Sequence, residues 1–290
     1  MIVTYSSRRP EALNDVRAFN RILDVDAVLS GVFLNDLAYE LWEARRLGHT
    51  IDATRNDLPK TKAEAYEVQE AIVELSELPR CGYKVGSTSK EAQRLLSTDE
   101  PGLGVLLAPF VHESPARINI VPEQMPAVEG EFVFRIGRDL PWRTEQYTLA
   151  EIADAIDGVT GAIEVVGTRF SGGLEGKGRL LTTADGGVNI ALATGNWVKF
   201  CGQNLREHGV MMTINGVPGG TGTGSRALGD PLNVLCWLVN HLSNRRVGLR
   251  AGEIVATGTC TGLDPVRPGD VVHADFGMLG TVVIEFERNN

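Results

Sequence analysis

The sequence predicts an α+β protein: a helical N-terminal region over residues 1–80, then a mixed β-rich domain over residues 81–290. Helix-period apolar recurrences are concentrated in the first portion, whereas from about Arg117 strand patterns dominate and only two helices interrupt them. Segregated helices and strands favour this class over a doubly wound sheet. The 33 glycines, concentrated after residue 100, suit many tight turns and bulges.

In chain order, Leu34, Leu37, Ala38, Leu41 and Trp42 recur at helix spacing, as do Ala65, Val68, Ala71, Ile72 and Leu75. Between them, residues 51–60 hold Asp57-Leu58-Pro59 and predict a connecting loop. Thr61 followed by Glu64 has capping-box spacing and predicts the start of the second helix. Gly82 to Ser87 opens the strand-rich part, with a short helix over 89–96 and a strand over 104–110. Further strands are expected near Glu131, Glu164, Val188 and Met211, and from Glu253 to the end. The inserted helices are 148–156 and 231–244, the latter with a stripe of Leu232, Leu235, Cys236, Val239 and Leu242.

A chain of 290 residues can bury a full core, and a formal charge of -9 argues against nucleic acid or an anionic membrane as partner. An anionic ligand must therefore be captured by local positive charge. The polar 1–10 stretch predicts no secretory leader, no run is long enough to span a membrane, and a cytoplasmic location is expected. Cys81, Cys201, Cys236 and Cys260 are far apart and predict reduced thiols. The five histidines form no HxxxH pair, and no GxSxG elbow is present. The glycine run 219–225 has no lysine for a phosphate cradle and is expected to be a mobile loop beside a site.

The segment 127–134, Ala-Val-Glu-Gly-Glu-Phe-Val-Phe, is the most informative. On a strand, Glu129 and Glu131 share one face while Val128, Gly130, Phe132 and Phe134 take the other. Two adjacent buried carboxylates repel and are costly to desolvate, and a hard divalent cation removes both objections. Glu164, flanked by Ile163 and Val165, is a candidate third ligand. The competing reading is a solvated edge strand balanced by Arg135 or nearby lysines. Lys84 is either a snorkelling surface lysine or a buried ammonium beside the metal. Asp185 in Ala-Asp-Gly-Gly suits a turn, and Thr259 and Thr261 suit a tight bend or a ligand hydrogen bond.

These segments together resemble the fumarylacetoacetate hydrolase superfamily, within it the branch of 2-keto-4-pentenoate hydratases and 4-oxalocrotonate decarboxylases. The resemblance runs from about Leu34 to Phe286. It rests on 82–89, on Glu129-Gly130-Glu131 with 137–140 behind it, on 162–166, 228–233 and 257–262, and on Pro268-Gly269-Asp270 followed by 274–277. It implies a mixed β-roll catalytic core and Mg²⁺ or Mn²⁺ held by Glu129, Glu131 and Glu164. It also implies a catalytic or substrate-orienting Lys84, a substrate-binding Thr259, a catalytic acid in Asp185 beside the pocket, a small 2-keto acid substrate and a homo-oligomer. The activity it implies is hydration of a 2-hydroxy-2,4-dienoate to a 4-hydroxy-2-keto acid. The alternatives are decarboxylation of a vinylogous 2-keto diacid, C–C hydrolysis of an acylpyruvate, and a non-catalytic oligomeric homologue. Two departures bear on hydration. Gly102 stands where many family hydratases carry an aspartate, which turns attention to Asp99 and Glu100 for water activation. The stretch 184–189 also differs from the usual Asn-Ala-Ser form.

Overall fold

The computed structural model describes residues 25–288, so the 1–10 stretch behind the leader expectation lies outside the described residues. Helix α1 (Val25–Leu47) buries Leu37, Ala38 and Leu41 against α2 (Lys62–Ser76). The expected cap is present: the Thr61 hydroxyl accepts from Glu64 N, and the Glu64 carboxylate accepts from Thr61 N. Such a cap is worth about 1 kcal/mol and fixes where the helix begins.

The chain then runs through β1 (Arg80–Gly86), α3 (Lys90–Leu95) capped by Ser89, β2 (Gly102–Leu107), β3 (Val111–Glu113) and β4 (Ala116–Ile120). Next come β5 (Ala127–Ile136), α4 (Leu149–Ala153), β6 (Ile156–Val166), α5 (Gly178–Ala184), β7 (Asn189–Thr194) and β8 (Val198–Lys199). The last part holds β9 (Gly209–Ile214), β10 (Val217–Thr223), α6 (Pro231–Asn244), β11 (Ile254–Ala256), β12 (Asp264–Pro265), β13 (Val271–Asp275) and β14 (Thr281–Arg288).

Among the described residues the strands form two mixed sheets. The larger has the order β2-β1-β11-β5-β6-β7-β3, with β12 also on β5 and β8 on β6; the smaller runs β10-β9-β13-β14-β4. Strand β5 is central and buried on both faces, which overturns the edge-strand alternative. One of its faces sends Phe132 and Phe134 into the core shared with the smaller sheet and α6. The other carries Val133 beside Ala162, Leu192 and Ala256. The N-terminal helices dock through a separate apolar cluster that includes Phe170 and Ala184.

Four local expectations need correction. The strand expected over 104–110 ends at Leu107, because Pro109 turns Ala108–Phe110 into a 3-10 turn. Val188 lies in a turn, and its strand starts at Asn189. Helix α5 was not expected, since Gly172, Gly173, Gly176 and Gly178 disguise the approach to it. The glycine run is not a loop: most of it is strand β10, paired with β9. Its glycines permit a close approach to the 258–262 bend, where a Cβ on Gly222 would strike the Cys260 carbonyl.

Gly161 on β6 makes the same kind of contact between the sheets. It sits opposite Phe132, and the Phe276 ring occupies the space its side chain would need. Phe276 meets Phe132 edge-on at 5.7 Å between centroids. Gly161→Ala is expected to destabilise the protein by about 1–3 kcal/mol through overpacking. Urea denaturation checks this, and an unchanged midpoint would contradict the packing.

Candidate metal centre

The pairing of β5 with β6 places Glu129 directly opposite Glu164, with Glu131 two residues further along the same face. Like charges directly opposite normally destabilise a sheet. Here one oxygen from each of the three carboxylates lies within 4.8 Å of the others. Glu131 and Glu164 are fully buried, and Glu129 is partly open to the adjoining pocket.

Lys84 reaches the cluster because of how β11 ends. In the larger sheet Lys84 pairs with Ala256, and Ala256 pairs with Val133. Strand β11 stops there, and the chain leaves the ladder in a bend bounded by Gly258 and Gly262, both at positive φ. Cys260 N donating to Gly130 O (2.8 Å) and Gly130 N donating to the Thr261 hydroxyl (2.9 Å) pin that bend to β5. The bend turns Gly258 N–H onto Glu131 Oε2 at 2.8 Å. Beside it the Lys84 ammonium lies 3.2 Å from Glu164 Oε2 and donates to Gly187 O at 3.1 Å. The snorkelling alternative therefore fails, since Lys84 is buried. Asn189 Nδ2 donates to Glu164 Oε1 at 2.8 Å, which fixes the rotation of that carboxylate.

The electrostatics follow from this crowding. Burial raises the Glu129 pKa; Lys84 opposes the rise, Glu164 adds to it, and the result is about 7. Burial, then the charges of Glu164 and Glu129, hold Glu131 well above the ordinary carboxylate range. Burial pulls the Lys84 ammonium down, but Glu164, Glu129 and Glu131 outweigh it and hold its pKa above the usual value. One ammonium against three carboxylates leaves the cluster short of positive charge.

The cluster fits a divalent cation. Glu131 Oε1 is buried with no hydrogen-bond partner, and Glu164 Oε2 has only the ion-pair contact with Lys84. An all-carboxylate donor set suits Mg²⁺ or Mn²⁺ over Zn²⁺. No described histidine or cysteine joins it. The nearby Cys260 thiol is buried, which drives its pKa far up and keeps it protonated.

Two expected residues make local contacts of their own. Asp185 is buried in an ion pair with Arg169, and its oxygens also accept from the Thr168 hydroxyl and Arg169 N, each at 2.9 Å. It faces Arg169 instead of the acid cluster, and both its oxygens are engaged. Its place is to fasten the turn that presents Gly187 O and Asn189. The Thr259 hydroxyl accepts from Gly262 N (2.7 Å) and Thr261 N (3.3 Å), which closes the bend that follows β11. Asp99 and Glu100 lie outside the acid pocket, and Glu100 is ion-paired with Lys62 at 2.6 Å.

The structure adds groups that sequence reasoning missed: the Gly258 N–H, the Gly187 carbonyl, the Asn189 amide and Arg179. The pocket beside the acids is lined by Lys84, Ser87, Gly102, Glu129, Arg179 and apolar residues that include Leu96, Val166 and Leu263. No local pattern marks Arg179, because it comes from the unexpected helix α5.

Residues 84–286 match the family model described as fumarylacetoacetate (FAA) hydrolase C-terminal. A 2-keto-4-pentenoate hydratase of Paraburkholderia xenovorans is 32% identical over 259 residues, covering 88% of this chain and 95% of that one. A 4-oxalocrotonate decarboxylase of a Pseudomonas species is 28% identical over 273 residues, covering 92% and 99%. Among solved structures, 4-oxalocrotonate decarboxylase from Pseudomonas putida, complexed with magnesium and adipate, superposes with a TM-score of 0.80. Its identity is 28%, and the match covers 87% of this chain and 97% of that one.

Without metal, the raised carboxylate pKa values set the sign of the pH dependence. The folded state binds more protons than the unfolded one above the ordinary glutamate value of 4.5. That stability is fully present below 4.5 and is lost as pH rises through about 7. Melting temperatures of metal-free protein should therefore fall between pH 5 and 8, and the rise on adding Mg²⁺ should be larger at pH 8 than at pH 6. Glu131→Gln should melt higher than wild type without metal and lose the Mg²⁺ response. A metal response equal at both pH values would contradict this account.

Proposed function

The chain belongs to the fumarylacetoacetate (FAA) hydrolase C-terminal family, and on that premise we propose that it is a metal-dependent hydro-lyase. Its substrate would be a 2-hydroxy-2,4-dienoate and its product a 4-hydroxy-2-keto acid. The observation that most supports this is the meeting of Glu129, Glu131 and Glu164 beside the Lys84 ammonium at the wall of a pocket. The hydratase relatives, similar over most of the chain, agree with it.

Glu129, Glu131 and Glu164 would hold the Mg²⁺ or Mn²⁺. When bound, the cation supplies electrophilic stabilisation of the negative charge that develops on the keto oxygen. Lys84 is held between Glu164 and Gly187 O, where its ammonium pairs with a substrate carboxylate and relays a proton to or from the carbon skeleton. Asn189 and Gly258 N–H keep Glu164 and Glu131 in their rotamers. The apolar wall of Leu96, Val166 and Leu263 receives the hydrocarbon part of the diene and keeps bulk water from it. We also propose a cytoplasmic homo-oligomer, and a division into a helical region 1–80 and a catalytic domain 81–290. The start of the family match at residue 84 supports that division.

Gly102 favours a second reading. It lines the pocket with no side chain to activate water. Decarboxylation of a vinylogous 2-keto diacid needs no such base, and it is the activity named for the Pseudomonas relative.

Loss of the dienol absorbance of 2-hydroxypenta-2,4-dienoate measures hydration, and CO₂ release from a 2-keto-4-ene diacid measures decarboxylation. Hydration should require Mg²⁺ or Mn²⁺ and stop with EDTA, and Lys84→Ala should lower kcat by roughly 100-fold or more. Turnover untouched by EDTA and by Glu131→Ala would reject the proposal. CO₂ release without hydration would select the second reading.

A further inference from the structure

The pocket beside the acid cluster carries a second cation that no described carboxylate ion-pairs. Strands β1 and β2 pair Lys84 with Gly104 and Gly86 with Gly102, so Gly102 lies on the same face as Lys84, one step further along the strands. The Arg179 guanidinium fills the space above it, and a Cβ on Gly102 would stand 2.7 Å from Arg179 Cζ. Arg179 therefore occupies this wall of the pocket because residue 102 has no side chain.

Arg179 has little to satisfy it there. Its Nη2 donates to Glu100 O at 3.0 Å. Its Nε is buried with no hydrogen-bond partner, and no carboxylate of the described residues is within ion-pair distance. Burial pulls its pKa below the usual guanidinium value, against opposing effects of Tyr66 and Glu100. A guanidinium offers five N–H donors in a planar fork that matches a carboxylate. A neighbouring cleft shares Leu96 and Arg179 with the pocket and is lined by Lys62, Arg94 and Lys177 against one acid, Asp99. In a chain of net charge -9 this is a local route for an anion.

We propose that Arg179 binds a second, distal carboxylate of the substrate, so that the preferred substrates are 2-keto diacids. Gly102 is the residue that makes room for it. This rests on the proposed keto-acid chemistry at Glu129, Glu131, Glu164 and Lys84, and it fixes the far end of the ligand. A purely structural Arg179, tying α5 to Glu100 O, would leave the choice between mono- and diacids unchanged.

The test is calorimetric titration, with Mg²⁺ present, of two saturated 2-keto acids that cannot be hydrated: 2-oxoadipate and 2-oxohexanoate. Wild type should bind 2-oxoadipate at least about tenfold more tightly, the worth of one charge-assisted pair. Arg179→Met should lose that preference and bind 2-oxoadipate no more tightly than 2-oxohexanoate. Gly102→Asp, whose side chain takes the space that Arg179 fills and brings a carboxylate beside it, should also lose it, and this variant decides the matter if Arg179→Met binds neither acid. Equal affinities in wild type, or a preference that survives in Gly102→Asp, would overturn the diacid proposal and leave the keto-acid chemistry standing. Failure of wild type to bind either acid would overturn both.

Discussion

Repulsion among three carboxylates is the constraint around which this protein is built. Glu129 and Glu164 face each other across two central strands, Glu131 lies beside them, and a single ammonium answers all three. A charged face on a strand buried on both sides costs folding free energy. The surrounding structure over-determines the arrangement: the Gly258 N–H holds Glu131, the Asn189 amide holds Glu164, and Gly187 O holds Lys84. These three partners restrain each group without removing its charge. The site thus stays poised for a cation, at the expense of metal-free stability.

The rest of the fold supplies rigid walls for this site. The opposite face of β5 is locked into the core by Phe132 and Phe134, so Glu129 and Glu131 cannot slip register without exposing aromatic rings. The early end of β11 opens the sheet over Glu131, and the bend that follows is pinned back to β5 at Gly130. Asp185 and Arg169 play a similar part under the 185–189 turn, where a buried ion pair fixes the backbone that presents Gly187 and Asn189. Function here depends on backbone groups as much as on side chains.

The parts legible in the sequence were those with a local period. Alternation along 127–134 was enough to put Glu129 and Glu131 on one face, and the apolar flanks of Glu164 marked it as buried. The Thr61–Glu64 cap was readable because both partners lie within one turn. What stayed hidden came from long-range pairing or from glycine. The Asp185–Arg169 pair and the Asn189–Glu164 bond are set by how strands and turns fold back, and no spacing in the chain reports them. The tight bend expected at Thr259 is present, closed by its hydroxyl accepting from Gly262 N. Gly222 resembled a loop residue because strand patterns are read from side chains, whereas it is needed for its lack of one.

The most direct measurement is anomalous diffraction from crystals grown with Mn²⁺. The account predicts one strong peak per chain at about 2.0–2.2 Å from an oxygen of each of Glu129, Glu131 and Glu164. No peak at that position, or a peak that one of the three carboxylates does not touch, would contradict it.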